Sequence, residues 1–299
     1  MKKVSAIITT YNRLELLKRA IKSVKSQTYD NIELIVVCDG SEDGTKEYCE
    51  SLNDIIFVYI PKEESKGGNH ARNVGIEHST GYYVAFLDDD DYWLPTKIEH
   101  QVRGLEEHPD CKFSICPFFH ENPNKEDALR LTEGQTKPSF ITAQVEDHSI
   151  KSLIWIYTIT SAFFIEKELL VELGMFDQNL KAWQDRDLLI RITQETKVYY
   201  INTPLLVYRN NSNTKNAISS KYDLFTKSKH IVNHKHKTLL RKLNISQKLT
   251  KRQFEYGVQR HIALNSGMKY TALYCRVRFF TCRMILKLNN CSKIRLFHI

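Results

Sequence analysis

The sequence lacks the segments that mark a membrane-spanning or secreted chain. None of its apolar runs reaches the roughly 18 residues of a transmembrane helix, and residues 1–8 lack the apolar core of a signal peptide. We therefore expect a cytoplasmic protein. The seven cysteines are an odd number without zinc-site spacing, so we expect them to be reduced and none to be catalytic.

Two common nucleotide-binding signatures are also missing. The chain holds neither a G-x-x-x-x-G-K-[ST] phosphate loop nor a G-x-G-x-x-G motif after its first apolar run. These absences exclude the usual ATP-binding and NAD-binding sites.

Acidic residues are scarce toward the C-terminal end. Residues 221–299 hold 18 lysines and arginines against only Asp223 and Glu255, so this segment is strongly basic. Residues 1–220 are net acidic, and we place a domain boundary near residue 215, after an Asn-rich stretch. A basic segment of this kind favours an anionic partner, either a phospholipid surface or nucleic acid.

Short apolar runs alternate with amphipathic ones in the first hundred residues. This pattern predicts strands joined by crossover helices into a mainly parallel sheet, so the predicted fold class is α/β. Periodicity predicts the first strands at 5–9, 33–38, 55–60 and 82–87, and a helix at 97–107. It also predicts a helix after the first strand, with an apolar stripe of Leu14, Leu17, Ala20, Ile21 and Val24. Further strands are predicted at 113–118, 160–165 and within 198–209, and further helices at 166–173 and 188–192.

Four consecutive aspartates follow the fourth predicted strand: Asp88, Asp89, Asp90 and Asp91. Adjacent carboxylates raise one another's pKa and destabilise a fold unless a positive group shares them. Oxygen ligands suit Mg²⁺ or Mn²⁺, and an ion of this kind usually binds phosphate as well. The alternative is a solvated acidic loop.

Polar side chains also occur at other strand ends. Thr9 and Tyr11 follow the first strand, Asp39 follows the second, and Arg72 lies on the helix after Gly67 and Gly68. Ligands of open parallel sheets bind beyond the carboxyl ends of the strands. A carboxylate can accept hydrogen bonds from a base or ribose, a guanidinium can approach a base or phosphate, and a metal ion can bind phosphate. Together these groups favour a nucleoside diphosphate as the ligand.

These residues resemble the family 2 glycosyltransferases, which have the GT-A fold. Six segments carry the resemblance and occur in the family's order over about residues 4–210. They read VSAIITTYNR (4–13), CDGSEDGT (38–45), GNHARNVG (68–75), GYYVAFLDDDDYW (81–93), GMFD (174–177) and WQDRDL (183–188). The resemblance implies a catalytic domain over 1–215, with a nucleotide-sugar half (1–110) and an acceptor half (111–215), before a basic helical extension (216–299).

Residue by residue, the resemblance implies a site for a UDP-sugar. The residues that it places around the uridine are Thr9, Tyr11, Asp39 and Arg72. It implies that Asp89 contacts the ribose and that Asp90 binds Mn²⁺ or Mg²⁺. Asp88 and Asp91 are then supporting carboxylates, with Asp88 counted among the residues that bind the nucleotide sugar, and the register within the four aspartates stays open.

The resemblance assigns the catalytic base to Asp185. Family members often carry Glu-Asp where this chain has Gln184-Asp185, and the second acid is retained. Transfer with inversion needs a base for the acceptor hydroxyl opposite the leaving group, while a metal ion neutralises the departing diphosphate. Without the resemblance, the favoured interpretation of Asp185 is a helix N-cap. Trp183 either stacks on a sugar of the acceptor or packs inside the protein.

The implied activity is transfer of a hexosyl or N-acetylhexosaminyl group from a UDP-sugar to a hydroxyl of a growing glycan. The family suggests bacterial surface polysaccharide, such as O-antigen of lipopolysaccharide or capsule, and leaves open whether the acceptor is lipid-linked. One alternative is a sugar-phosphate nucleotidyltransferase, which uses a triphosphate and releases pyrophosphate. Another is a non-catalytic scaffold that binds a membrane or nucleic acid.

The basic segment contains an amphipathic stretch at 270–290. The apolar residues on one helical face are Leu273, Val277, Phe280, Met284 and Leu288, and the basic residues along its flank are Lys269, Arg276, Arg283 and Lys287. This pattern is typical of a helix that lies in a membrane interface. We therefore predict that residues 260–299 make peripheral contact with the cytoplasmic face of the inner membrane. The alternatives are a helix packed on the acidic catalytic domain and nucleic-acid binding, which no recognised motif supports.

Overall fold

A computed structural model describes residues 1–121, 143–154, 158–209 and 221–290, without the side chains of 288–290. The chain divides into two compact units. The first unit consists of Met1–His148, Thr158–Asn179 and Asp187–Asn210, and the second of Ser149–Tyr157, Leu180–Arg186 and Asn211–Ile299. The boundary expected near residue 215 lies outside the described residues and stays a prediction.

The first unit contains all the strands of the described residues. They are β1 (Val4–Thr10), β2 (Ile32–Asp39), β3 (Ile56–Ile60), β4 (Tyr83–Asp88), β5 (Tyr92–Trp93), β6 (Cys111–Ile115), β7 (Phe118–Glu121), β8 (Ala143–Glu146), β9 (Phe164–Glu166), β10 (Lys197–Ile201) and β11 (Leu206–Arg209). Eight strands form one sheet in the order β3-β2-β1-β4-β9-β6-β10-β8, and β5, β11 and β7 form a second.

The helices occur in both units. They are α1 (Leu14–Lys25), α2 (Thr45–Glu50), α3 (Gly68–His78), α4 (Lys97–Glu107), α5 (Ser149–Ile154), α6 (Lys167–Glu172), α7 (Gln184–Glu195), α8 (Tyr222–Lys235), α9 (Lys237–Arg241), α10 (Ile245–Asn265) and α11 (Lys269–Asn290). The second unit contains α5, the start of α7, and α8 to α11. Within the described ranges, no helix combines the length and the apolar character that crossing a bilayer requires.

The α/β prediction is confirmed by the larger sheet. β1 pairs in parallel with β2 and β4, β2 pairs in parallel with β3, and β9 runs antiparallel to β4 and β6. Side chains of β1 and β4 are buried on both faces, which explains why these strands read as continuous apolar runs. α1 buries its predicted apolar stripe, Leu17, Ala20, Ile21 and Val24.

Two strand predictions differ from the structure. The strand expected at 113–118 is divided into β6 and β7, and the one expected at 160–165 begins only at Phe164. Residues 160–162 form a short 3₁₀ helix instead, and Ser161 is held there by side chains of the segment that follows β4. Trp93 Nε1 donates to the Ser161 carbonyl at 3.1 Å, and the Ser161 hydroxyl donates to Asp91 at 2.6 Å.

Gly75 lets α3 approach the sheet closely. A Cβ built on Gly75 lies 2.5 Å from Ile7 Cγ2 and 3.3 Å from Val37 Cγ2. Ile7 is fully packed in β1 and cannot turn away. We expect Gly75→Ala to destabilise the fold by about 1–3 kcal/mol, offset in part by the higher helix propensity of alanine. Thermal denaturation should show a melting temperature lower by about 2–6 °C.

The same exchange in α10 provides a matched control. A Cβ on Gly257 meets only Phe279, at an ordinary contact distance of 3.5 Å. We expect Gly257→Ala to leave the melting temperature unchanged or to raise it slightly. An equal fall for both variants would contradict the close approach of α3 to the sheet.

Candidate active site

The carboxyl ends of β1, β2 and β4 meet at one edge of the larger sheet. The strand register pairs Thr9 with Asp88 and Thr10 with Cys38. The loop after β1 contains Tyr11, which is 52% exposed. This loop contacts the loop after β2, because the Asn12 backbone N–H donates to Ser41 Oγ at 2.9 Å.

Arg72 and Asp88 form an ion pair at this edge. Arg72 Nη2 donates to Asp88 Oδ1 at 2.5 Å, and the Asp88 side chain is 33% exposed. Arg72 reaches this position from the first turns of α3, where Gly68 leaves room for the guanidinium: a Cβ on Gly68 lies 3.1 Å from Arg72 Nη1. The structure therefore brings together two of the residues predicted to bind the nucleotide.

Asp39 has one carboxylate oxygen without a partner. Its Oδ2 accepts a hydrogen bond from the Gly67 backbone N–H at 3.0 Å. Its Oδ1 is buried, and no described residue donates to it. A buried acceptor without a partner destabilises a fold by about 1–3 kcal/mol unless a ligand or water supplies the donor. Asp39 Oδ1, at the end of β2, can therefore accept a hydrogen bond from a ligand or water.

Asp89 is buried beneath the edge. Its two oxygens accept hydrogen bonds from Thr10 Oγ1 at 2.8 Å and from Arg13 Nη1 at 3.0 Å. Burial raises the pKa of Asp89 to about 7, the charge of Arg13 opposes this rise, and the charge of Asp90 adds to it. The same Arg13 Nη1 donates to Asp90 Oδ2 at 2.9 Å, so one guanidinium bridges two neighbouring carboxylates.

Asp91 connects the aspartate run to the rest of the first unit. It is 1% exposed and accepts hydrogen bonds from Ser161 Oγ at 2.6 Å and from the Arg209 backbone N–H at 3.0 Å. Burial raises the pKa of Asp91 well above its ordinary value, and the charges of Asp90 and Asp88 act in the same direction. The contacts of Asp91 position the end of β4.

The two partly exposed carboxylates of the aspartate run are suited to a metal ion that also binds the phosphates of a ligand. Among the described residues, no group of three or more His, Cys, Asp or Glu side chains is arranged to hold a metal ion. Asp88 and Asp90 reach the surface, with side chains 33% and 18% exposed, whereas Asp89 and Asp91 are buried. Mg²⁺ is commonly held by one or two carboxylates together with substrate phosphates and water. Asp88 and Asp90 supply two carboxylates of the kind that Mg²⁺ binds.

The segment 174–177 joins α3 to α7. Asn73 Nδ2 donates to the Phe176 carbonyl at 2.9 Å, and Asn69 Nδ2 donates to the Asp177 carbonyl at 3.0 Å. Arg191 of α7 donates to the Met175 carbonyl at 2.7 Å and pairs with buried Asp187 at 2.8 Å. This segment thus fixes α3, which carries Arg72.

Asp185 and Trp183 belong to the second unit and are described within it. α7 begins at Gln184, so Asp185 lies in the first turn and not at the N-cap position. The Arg186 backbone N–H donates to Asp185 Oδ1 at 2.7 Å. Trp183 has a φ of 63°, is 7% exposed and meets the Phe225 ring edge-on at 5.2 Å. These contacts are those of a packed side chain, and the role of Trp183 at the acceptor stays a prediction.

Arg186 is a buried cation next to Asp185. It donates to the carbonyls of Leu153 and Ile154 at 3.1 and 2.8 Å. Burial lowers the pKa of Arg186 to about 10, while the charges of Glu255 and Asp185 oppose this fall. Arg186 therefore remains charged at neutral pH and joins α5 to the start of α7.

Sequence reasoning assigned no role to Thr10, Arg13 or Ser161, which hold the aspartates. The available signal was electrostatic, because four adjacent carboxylates require donors or cations nearby. Thr10 is the last residue of β1 and Arg13 lies three residues further along, so both are close in sequence to a strand end at the edge where the aspartates were expected. Ser161 gave no signal, since it lies 70 residues from Asp91 in sequence.

Comparison with known proteins identifies relatives of the chain. The family model described as Glycosyl transferase family 2 matches residues 5–169. A glycosyltransferase of Rickettsia typhi is 31% identical over 206 residues, 69% of this chain and 63% of that protein, so the chain spans less than two thirds of this relative. The UDP-Glc:alpha-D-GlcNAc-diphosphoundecaprenol beta-1,3-glucosyltransferase WfaP of Escherichia coli is 40% identical over 106 residues, 36% of this chain and 42% of that protein.

Solved structures share the fold. S. aureus TarS 1-349 in complex with UDP-GlcNAc has a TM-score of 0.58 at 16% identity, covering 99% of this chain and 94% of that chain. The mannosyltransferase PcManGT from Pyrobaculum calidifontis, in complex with GDP-Man and Mn²⁺, has a TM-score of 0.54 at 17% identity, covering 98% and 76%. The family match covers more than half of the sequence and includes the strand ends described above. The chain therefore belongs to glycosyltransferase family 2 and has the GT-A fold.

Proposed function

We propose that this glycosyltransferase is inverting and metal-dependent, and that it moves a hexosyl or N-acetylhexosaminyl group from a UDP-sugar to a hydroxyl of a growing glycan. The main support for the proposed donor site is Asp39 Oδ1 at the edge of the sheet, which is buried and has no hydrogen-bond partner among the described residues. The uracil ring has one N–H group that can donate to this oxygen. The proposed donor is in keeping with the UDP-GlcNAc and UDP-Glc in the names of the TarS complex and of WfaP.

Asp88 and Asp89 differ in their suitability for the ribose. Asp89 is 4% exposed, and both of its oxygens already accept hydrogen bonds. Asp88 is partly exposed and is held in place by Arg72. The geometry thus favours Asp88 as the carboxylate that accepts from a ribose hydroxyl, with Asp89 retaining Arg13. Thr9, Tyr11 and Arg72 complete the proposed nucleotide site.

Asp90 is the carboxylate that we propose holds Mn²⁺ or Mg²⁺, together with the diphosphate of the donor. A divalent ion there neutralises the charge that develops on the departing nucleoside diphosphate. Arg13 lies beside Asp90 and supplies a second positive charge from the protein itself. The complex of PcManGT contains Mn²⁺ together with a nucleotide sugar, which agrees with this proposal.

Asp185 is the proposed base. A carboxylate takes the proton of the acceptor hydroxyl as the new bond to the anomeric carbon forms, on the face opposite the leaving group. Asp185 lies in the first turn of α7, where a helix N-terminus favours a negatively charged side chain.

The proposed acceptor is a glycan of bacterial surface polysaccharide, such as O-antigen or capsule. WfaP is named for an acceptor in which a sugar is joined through a diphosphate to undecaprenol. A lipid-linked acceptor of that chemical class is accordingly the first one to test.

We expect UDP to stabilise the protein through Asp39. At about 100 times its dissociation constant, a ligand adds about 2.7 kcal/mol of stability, which should raise the melting temperature by about 5 °C or more. Asp39→Asn replaces the accepting oxygen with a mixed donor and acceptor, so it should remove most of the shift. Thermal-shift assays with UDP and Mn²⁺ measure both. Glu42→Gln, at a carboxylate exposed beside Lys62, is the matched control and should keep the full shift.

Product analysis separates this proposal from nucleotidyl transfer. Incubation with a UDP-sugar and an acceptor glycan should release UDP. Incubation with a sugar phosphate and UTP should release no pyrophosphate. Pyrophosphate in the second reaction and no UDP in the first would overturn the proposed function.

A further inference from the structure

α11 exposes its large apolar side chains. Six of them are between 45% and 90% exposed: Tyr270, Leu273, Tyr274, Val277, Phe280 and Met284. Their spacing of three and four residues puts them on one stripe along the helix. Exposed apolar side chains that stand singly are ordinary, whereas a continuous stripe marks an interaction surface.

The opposite face of α11 is the one that packs inside the second unit. Its buried side chains are Ala272, Cys275 and Cys282, and Phe279 on the same face lies beside Gly257 of α10. The helix therefore buries mostly small residues and exposes most of its large apolar ones. Burial of apolar surface is favourable, and the described residues leave this apolar stripe exposed.

Basic residues border the apolar stripe. Helical geometry places Lys269, Arg276, Arg283 and Lys287 along one border and Arg278 on the other. No acidic residue follows Glu255 in the sequence. Among the described residues, no carboxylate pairs with Arg276, Arg283 or Lys287. The charge that this surface complements is negative.

We propose that α11 lies in the interface of an anionic phospholipid bilayer, with the apolar stripe at the level of the upper acyl chains. Long basic side chains at the borders of such a helix extend to the headgroups while their stems remain in apolar surroundings. Phosphate groups supply the missing negative charge. This inference is independent of the donor and acceptor proposed above.

Two other occupants fit the surface less well. A second copy of the chain would bring its own basic borders, so two α11 stripes would meet with like charges along both edges. Nucleic acid would satisfy the basic residues but would leave the aliphatic side chains of Leu273, Val277 and Met284 in water. A bilayer accounts for the stripe and its borders together.

Sedimentation of the full-length protein with vesicles tests the proposal. We expect binding to vesicles that contain phosphatidylglycerol, weaker binding to pure phosphatidylcholine, and a decrease at high salt. The variant Leu273→Gln/Val277→Gln/Met284→Gln should lower the partition coefficient about tenfold or more, because it removes the apolar contribution while keeping good helix formers. Arg276→Gln/Arg283→Gln should weaken binding to the anionic vesicles alone.

A second triple variant is the matched control. Ile231→Gln/Ile245→Gln/Leu264→Gln changes three exposed apolar residues elsewhere in the second unit. It should bind vesicles as the unchanged protein does, and circular dichroism should show the same helix content for all variants. Equal binding by both triple variants, or no binding by the unchanged protein, would overturn the proposal. A dimer in gel filtration that only the α11 triple variant dissociates would replace the bilayer with a second copy.

Discussion

Asp90→Asn should lower the rate of sugar transfer by about a hundredfold to a thousandfold, and EDTA should lower the rate of the unchanged protein to a similar degree. The change keeps the size of the side chain but removes the negative charge that we propose holds the divalent ion. Asp90 is one of two carboxylates of the run that reach the surface, and it forms an ion pair with Arg13 at 2.9 Å. Initial rates with saturating UDP-sugar and increasing Mn²⁺ measure the effect.

A structural explanation for the loss must be separated from a chemical one. Asp91 is 1% exposed and positions β4 through Ser161 and Arg209, whereas the Asp90 side chain is 18% exposed. We therefore expect Asp90→Asn to keep its melting temperature in the absence of ligand. Asp110→Asn, at an exposed carboxylate paired with Lys197, is a control of equal chemistry and should retain full activity. Unchanged turnover after both Asp90→Asn and EDTA treatment would refute the metal-dependent mechanism.

Asp185→Asn should lower kcat by about a hundredfold to ten-thousandfold, because an amide cannot take the proton of the acceptor hydroxyl. Binding of the donor should stay the same, since the proposed donor residues lie in the first unit and Asp185 lies in the second. The measurement is kcat with a saturating acceptor, together with the UDP-induced shift in melting temperature. The expected outcome is a large loss in the first and none in the second.

Two further measurements show whether the loss belongs to proton transfer. Glu195→Gln changes an exposed carboxylate at the other end of α7 and should leave kcat unaltered. The acidic limb of the pH profile of kcat should disappear in Asp185→Asn, because the group that must be ionised is no longer present. If the variant kept both its rate and its pH profile, another residue would be the base.

The sheet was predictable because its central strands obey a simple rule. β1, β2 and β4 are buried on both faces, so they appear in the sequence as unbroken apolar runs with polar residues at their carboxyl ends. That the polar residues after these strands meet at one edge of the sheet followed from parallel topology. The helix at 97–107 and the apolar stripe of α1 followed from periodicity.

The roles of the four aspartates were not predictable from the sequence. Identical neighbours carry no local signal, and their exposure depends on partners that approach from far along the chain. Ser161 and the backbone of Arg209 bury Asp91, while Thr10 and Arg13 bury Asp89. The strand expected at 160–165 was wrong for the same reason, because Ser161 is recruited to this edge and the chain turns there before β9 begins.

The second unit also contains two short segments from the middle of the sequence, Ser149–Tyr157 and Leu180–Arg186. Arg186 caps carbonyls of α5, and the Ala182 backbone N–H donates to Ser228 of α8 at 3.1 Å. Any chimaera that grafts the C-terminal helices of a relative onto this chain therefore has to exchange all three pieces together. A single splice after residue 210 would leave two orphaned inserts, one of which carries Asp185.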